Sequence, residues 1–158
     1  MAGSPAFIVR KVAVLGAGVM GAQIAAHLAN ADVEVILFEL PAKEGDPNGN
    51  VAKAIDNLRK LEPSPIATKA RADCIRPANY EQHLGLLGEC DIVIEAISER
   101  MDWKADLYRK VAPHLGPHAI FASNTSGLSI NTLAEAFPQA QRSEEHTSEL
   151  QSRGLISY

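Results

Sequence analysis

The sequence predicts an α/β domain, doubly wound on a mainly parallel sheet, and three observations carry that prediction. Short apolar runs alternate with amphipathic stretches along most of the 158 residues, the pattern of strands joined by crossover helices. The first strong run, Val12-Ala13-Val14-Leu15, leads directly into Gly16-Ala17-Gly18-Val19-Met20-Gly21. The next, Val33 to Phe38, is closed by an acid, Glu39.

Each element has a local reason. Val12 to Leu15 is apolar throughout, as a strand covered on both faces must be. The G-x-G-x-x-G turn follows, and its glycines have separate uses. Gly16 permits the tight turn, Gly18 lets backbone approach a pyrophosphate, and Gly21 lets helix and strand pack closely. The helix to about Asn30 is rich in Ala22, Ala25, Ala26 and Ala29, and its N-terminus offers unpaired N–H groups and partial positive charge to an anion. Pro41 to Asn50 is dense in turn formers. A helix is expected from Val51 to Leu61, with Val51, Ile55, Leu58 and Leu61 on one face.

After Pro63-Ser64-Pro65 a short helical piece is expected at Thr68 to Arg71. Asp73 to Pro77 reads as a weak strand limited by its proline, and Glu81 to Leu87 as a short helix ended by Gly88. Asp91 to Ile97 is a strong strand signal. Trp103 to Leu115 is expected to be a helix whose end is disturbed by Pro113. Ala119 to Ala122 is the next strand and runs into Ser123-Asn124-Thr125-Ser126. Ser129 or Asn131 could cap a last helix over Thr132 to Phe137.

The functional signal lies at strand ends. Ligands of parallel sheets bind outside the carboxyl ends of the strands, where Glu39, Ile97-Ser98-Glu99 and Ser123 to Ser126 all fall. Glu39 stands eighteen positions after Gly21, close to the roughly 20 expected for an acid that grips an adenosine ribose. A carboxylate there accepts hydrogen bonds from ribose hydroxyls and repels a 2′-phosphate. Leu40 and Pro41 bring no arginine to receive one. The pattern predicts a Rossmann-type site for NAD rather than NADP.

Composition excludes other classes. The chain has room for one domain. Its net charge is −4, so the basic footprint of a nucleic-acid partner is missing. No apolar run approaches the ~20 residues of a membrane span. Met1 to Pro5 lacks the regions of a secretory signal. Cys74 and Cys90 have no metal-type spacing, and no metal site is expected. They read as thiols of a reducing cytosol, so the expected location is cytoplasmic.

VAVLGAGVMGAQIA, IVIEAISERMDWKADLY and IFASNTSGLSI together resemble the NAD-binding domain of 3-hydroxyacyl-CoA dehydrogenases, over about Val9 to Phe137. EAxxE-x4-K combined with SNTS is far more specific than the glycine motif. The opening resembles a bacterial form in which this domain begins the chain, in some proteins with an enoyl-CoA hydratase unit further on.

The resemblance implies the fatty acid β-oxidation step that converts a (3S)-3-hydroxyacyl-CoA to the 3-ketoacyl-CoA. It implies that Gly16, Gly18, Val19, Met20 and Gly21 line the cofactor from the turn and that Glu39 holds the ribose. Ile97, Glu99 and Lys104 would contact NAD or line its site. Ser126 matches the serine that hydrogen-bonds the substrate oxygen near C3. The catalytic histidine of the family belongs to a later His-Phe-Phe-Asn-Pro type motif, absent here, and His27, His83, His114 and His118 match nothing catalytic. On this reading residues 1–141 form a truncated domain, its sheet incomplete at the C-terminal side and its own turnover negligible. An acyl-CoA partner, and a homo-oligomer built through the family's helical domain, are implied for the complete enzyme.

Arg142 to Ser152 does not continue the family pattern. It reads as the translation of a common sequencing-library adapter, and Ile156-Ser157-Tyr158 matches that adapter beyond its index. Residues 142–158 are therefore expected to be a non-native, disordered tail. Two other functions fit the glycine turn and its acid: an FAD-binding oxidoreductase domain, and a non-enzymatic module that senses NAD.

Overall fold

A computed structural model of the chain describes residues 7–125. Five strands form one sheet: β1 (Lys11–Leu15), β2 (Glu34–Glu39), β3 (Ile75–Asn79), β4 (Ile92–Glu95) and β5 (Ile120–Ser123). Their order is β3-β2-β1-β4-β5, and every neighbouring pair is parallel. The chain winds outward from β1 in one direction to β3, then returns to build β4 and β5 on the other side. The α/β, Rossmann-type doubly wound expectation holds.

Alternation along β1 and β2 sorts side chains onto two cores. Val12, Val14, Val35 and Leu37 face one side, against the alanines of α1 (Val19–Asn30) and against Val51, Ile55 and Leu58 of α2 (Gly49–Leu58). Ala13, Leu15, Ile36 and Phe38 face the other. There they meet Leu107, Tyr108 and Val111 of α4 (Met101–Val111). The small α3 (Lys69–Ala72) adds Ala72 to the first core.

Several boundaries differ from expectation. The helix expected at Val51–Leu61 begins at Gly49 and ends at Leu58. Arg59 and Lys60 already donate to carbonyls three residues back, the tightening typical of a helix end. β3 reaches Asn79 despite Pro77. Among the described residues it pairs only with β2, and a proline is tolerated on such an edge. The helix expected at Glu81–Leu87 is instead a turn followed by a 3-10 helix, Leu84–Glu89, that runs through Gly88. The Asn79 side chain accepts from the N–H groups of Glu81 and Gln82 at 3.1 and 2.9 Å. That holds the turn, and Gly85 and Gly88 lower the α-helical propensity. α4 closes at Val111, and a 3-10 turn, Ala112–His114, replaces the rest of the expected helix, because Pro113 has no N–H for an i−4 bond. The expected helix over Thr132 to Phe137 and the tail lie outside the described residues.

The start of β1 is clipped to β4. Asp91 accepts from the N–H groups of Arg10 and Lys11 at 2.8 and 3.1 Å, and Lys11 pairs with Glu34 and Glu89 at 3.0 and 2.8 Å. These contacts secure the amino edge of the sheet and leave the carboxyl edge to the site.

Candidate functional site

The glycine turn sits where the winding reverses, at the carboxyl end of β1 between β2 and β4. Gly16 has φ +107°, a conformation that favours glycine. A Cβ on Gly16 would also stand 2.8 Å from the Ala96 carbonyl oxygen. A Cβ on Gly21 would stand 1.8 Å from the Gly16 carbonyl oxygen, so α1 lies as close to the turn as backbone allows. Gly18 is different. Its φ is −68°, and a Cβ there would meet nothing within 4 Å. The fold does not need a glycine at that position. The space beside it is open.

Val19, Met20 and Gly21 open α1, and their N–H groups have no intrahelical acceptor. Ala22 is the first to donate back, to Gly18 at 3.0 Å. Val19 is 76% and Met20 54% exposed, so both side chains stand free at the start of α1. On one flank lies Glu39, half-buried at the end of β2. Its carboxylate accepts from the N–H of Ala17 in the turn and from the N–H of Leu40, each at 2.8 Å. On the other flank lies Ile97, half-buried, whose Cγ2 would be 3.1 Å from a Cβ on Gly16. Glu99 is exposed and accepts from the Thr125 hydroxyl at 2.7 Å.

Lys104, expected to contact NAD or line its site, is enclosed in this structure. It has no accessible surface. Its ammonium group bonds both oxygens of the equally buried Glu95, at 2.9 and 2.8 Å. The first turn of α4 lies over the end of β4, and the nearest carboxylate captures the lysine beneath the surface. Ser126, the residue matched to a substrate contact, lies outside the described residues.

Sequence reasoning missed Glu95. It also missed Tyr108, whose hydroxyl donates to Glu95 at 2.8 Å, and it placed Ser123 at the carboxyl edge without the bond its hydroxyl donates to Glu95 at 2.7 Å. The available signal was an acid at the end of the apolar run Ile92-Val93-Ile94, since a buried carboxylate requires partners. Tyr80 was also missed. It is buried and its ring stacks on Phe38 at 5.7 Å between centroids. A separate cavity of about 150 Å³, lined in part by Phe7, Cys90, Asp91 and His118, lies at the amino edge, away from the glycine turn. Among the described residues no three acids, cysteines or histidines are grouped to hold a metal, and no helix is long and apolar enough to cross a membrane.

A parallel sheet in this order, a glycine turn at its switch point and an acid ending β2 define a dinucleotide-binding domain of the Rossmann type. A family model for the 3-hydroxyacyl-CoA dehydrogenase NAD-binding domain matches residues 11–145. The chain belongs to that family. A Rickettsia felis protein named as a fatty acid oxidation complex trifunctional enzyme is 43% identical over 131 residues, which cover 82% of this chain and 18% of that protein. A Deinococcus radiodurans protein named as a 3-hydroxyacyl-CoA dehydrogenase is 39% identical over 80% of this chain and 37% of its own length. Among solved structures, 3-hydroxybutyryl-CoA dehydrogenase from Escherichia coli superposes with a TM-score of 0.68 at 27% identity, covering 85% of this chain and 28% of that one. The chain thus spans well under half the length of these relatives.

Proposed function

We propose that this chain is the cofactor-holding part of a dehydrogenase that oxidises a (3S)-3-hydroxyacyl-CoA to the 3-ketoacyl-CoA, with NAD as the hydride acceptor. The observation that carries the reading is the pairing of Gly18 with Glu39. Gly18 has open space beside it, with nothing within 4 Å of where a Cβ would stand. Glu39 is tied by Ala17 to the same turn, which supports the reading of its carboxylate as the partner of the adenosine ribose. The family is one of NAD-binding domains, which favours a nicotinamide cofactor over flavin. The relatives' names point to 3-hydroxyacyl-CoA chemistry and fatty acid oxidation.

The residues divide the work as follows. Gly16, Gly18, Val19, Met20 and Gly21 receive the pyrophosphate on backbone N–H groups and the positive end of α1. Glu39 accepts from the ribose hydroxyls and disfavours a 2′-phosphate. Ile97 gives an apolar wall and Glu99 a polar rim. Ser126 is assigned by resemblance to the substrate oxygen. The proton of the reacting hydroxyl needs a base, and the histidine motif that supplies it in the family is not among these 158 residues. The chain alone is therefore assigned NAD binding without turnover.

Calorimetric titration of the chain with NAD and with NADP tests the reading, alongside an assay with 3-hydroxybutyryl-CoA. Saturable NAD binding, weaker NADP binding and no NADH formation are expected. Absence of NAD binding would refute the cofactor assignment, and NADH formation would refute the assignment of no turnover to this chain.

A further inference from the structure

Glu95 ends β4 with no accessible surface, yet it carries a carboxylate. Four donors converge on it. The Lys104 ammonium spans both oxygens at 2.9 and 2.8 Å. The Ile97 N–H donates to Oε1 at 2.7 Å. The hydroxyls of Tyr108 and Ser123 donate to Oε2 at 2.8 and 2.7 Å. Ser123 in turn accepts from the Thr125 N–H at 3.3 Å. The Glu95 main chain takes part as well, accepting from the Asn124 N–H at 2.8 Å.

Stability is a weak explanation for this arrangement. An enclosed ion pair gives up the hydration of both charges, and apolar residues of similar volume often serve the fold as well. What the pair does is locate three pieces of backbone against one another: the exit of β4 through Ile97, the first turns of α4 through Lys104 and Tyr108, and the exit of β5 through Ser123 to Thr125. All lie at the carboxyl edge, on the opposite side of β1 from Glu39. A dinucleotide crosses the sheet at such a switch point. With its adenosine at Glu39, the side built by Glu95 is left for the nicotinamide half.

We propose that Glu95 is a positioning residue: held by Lys104 and Tyr108, it fixes Ser123, Asn124 and Thr125 as the wall that receives the nicotinamide half of the cofactor. Lys104 then acts on the site through Glu95. The proposal rests on the reading of the chain as an NAD-binding domain.

The test compares NAD with ADP-ribose, which carries the adenosine, the pyrophosphate and the second ribose but no nicotinamide. Both are titrated into the 158-residue chain and into Ser123→Ala, which removes one arm of the network and leaves the ion pair in place. The preference for NAD over ADP-ribose should fall about fivefold in Ser123→Ala, roughly what one lost neutral hydrogen bond is worth. ADP-ribose affinity should hold within about twofold. Ser123→Thr, which keeps the hydroxyl, should restore the preference. A paired variant, Glu95→Gln with Lys104→Met, should lose the preference as well; where it does not fold, Ser123→Ala and its rescue carry the test. An unchanged preference in Ser123→Ala, or equal weakening of both ligands, overturns the positioning role while leaving the NAD reading intact. If the parent chain binds neither ligand, the NAD reading falls and this proposal falls with it.

Discussion

The carboxylate of Glu39 accepts a hydrogen bond from the Ala17 N–H at 2.8 Å, so the acid that ends β2 is fastened to the glycine turn that follows β1. On the proposed reading, the groups that receive ribose and phosphate therefore form one joined unit. A carboxylate oxygen has room for more than one donor, so the Ala17 bond and bonds from ribose hydroxyls can coexist.

Glu39→Ala should weaken NAD binding by roughly 1–3 kcal/mol, the range for lost charge-assisted hydrogen bonds. Glu39→Gln keeps an acceptor for Ala17 and should cost less. Its neutral amide should also narrow the preference for NAD over NADP. Calorimetry on the parent chain and both variants reads this directly. NADP bound by the parent as tightly as NAD would remove the assigned role of the carboxylate.

The three glycines of the turn should respond differently to alanine. Gly21→Ala places its Cβ 1.8 Å from the Gly16 carbonyl oxygen, which the packed turn cannot accommodate, so loss of several kcal/mol or of folding is expected. Gly16→Ala meets the Ala96 carbonyl and adopts an unfavourable positive φ, and should also destabilise. Gly18→Ala meets nothing. Its thermal midpoint should match the parent, while NAD affinity drops. Parental NAD affinity in a folded Gly18→Ala chain would show that the open cradle is not where the cofactor lies.

Much of this site was legible in the sequence because its parts are local. The turn, the helix that follows and the acid at the next strand end lie within one stretch, Lys11 to Glu39, and their spacing is set by one strand–helix–strand unit. The network on Glu95 was not legible for the opposite reason. Its side-chain donors lie 9, 13 and 28 positions away and meet only when α4 and β5 dock. Lys104 shows the difference. The resemblance implied that it contacts NAD or lines its site, but no sequence pattern reports that Glu95 reaches it. β3 shows a milder case: Pro77 argued against a long strand, and only the sheet order reveals an edge that tolerates it.

The two cysteines should separate chemically. Cys74 is exposed and Cys90 is buried. Burial is the largest of the influences that push the Cys90 thiol up to about 11 from the ordinary value of 9.0, and the thiolate is the reactive form. At pH 8 iodoacetamide should label Cys74 readily and Cys90 only after unfolding. The linkage sign follows from the raised value. The folded chain keeps a proton that the unfolded chain releases, so this contribution to stability is fully present below pH 9 and is lost as pH rises through about 11. Mass spectrometry of the labelled chain checks the first point, and denaturation midpoints of the parent and Cys90→Ala between pH 8 and 11 check the second. Equal labelling of both thiols in the folded chain would contradict the burial argument.

Tyr80 and Tyr108 present two buried hydroxyls with opposite expectations. The Tyr108 hydroxyl donates to the enclosed carboxylate of Glu95 at 2.8 Å. Among the described residues the Tyr80 hydroxyl has no hydrogen-bond partner. The Gly16 N–H lies near enough to affect its ionisation, but that N–H already donates to the Phe38 carbonyl at 2.9 Å. Burial, reinforced by the charges of Glu39 and Glu95, holds the Tyr80 phenol well above its ordinary pKa, so it stays neutral. Tyr80→Phe keeps the stack on Phe38 and removes an unpaired polar atom. Stability should stay level or rise by up to about 1 kcal/mol. Tyr108→Phe takes a donor from a buried charge and should cost about 1.5–3 kcal/mol. Urea unfolding of the parent and both variants measures the contrast. A loss in Tyr80→Phe as large as that in Tyr108→Phe would mean that the Tyr80 hydroxyl is paired in solution, and the distinction drawn between the two residues would fail.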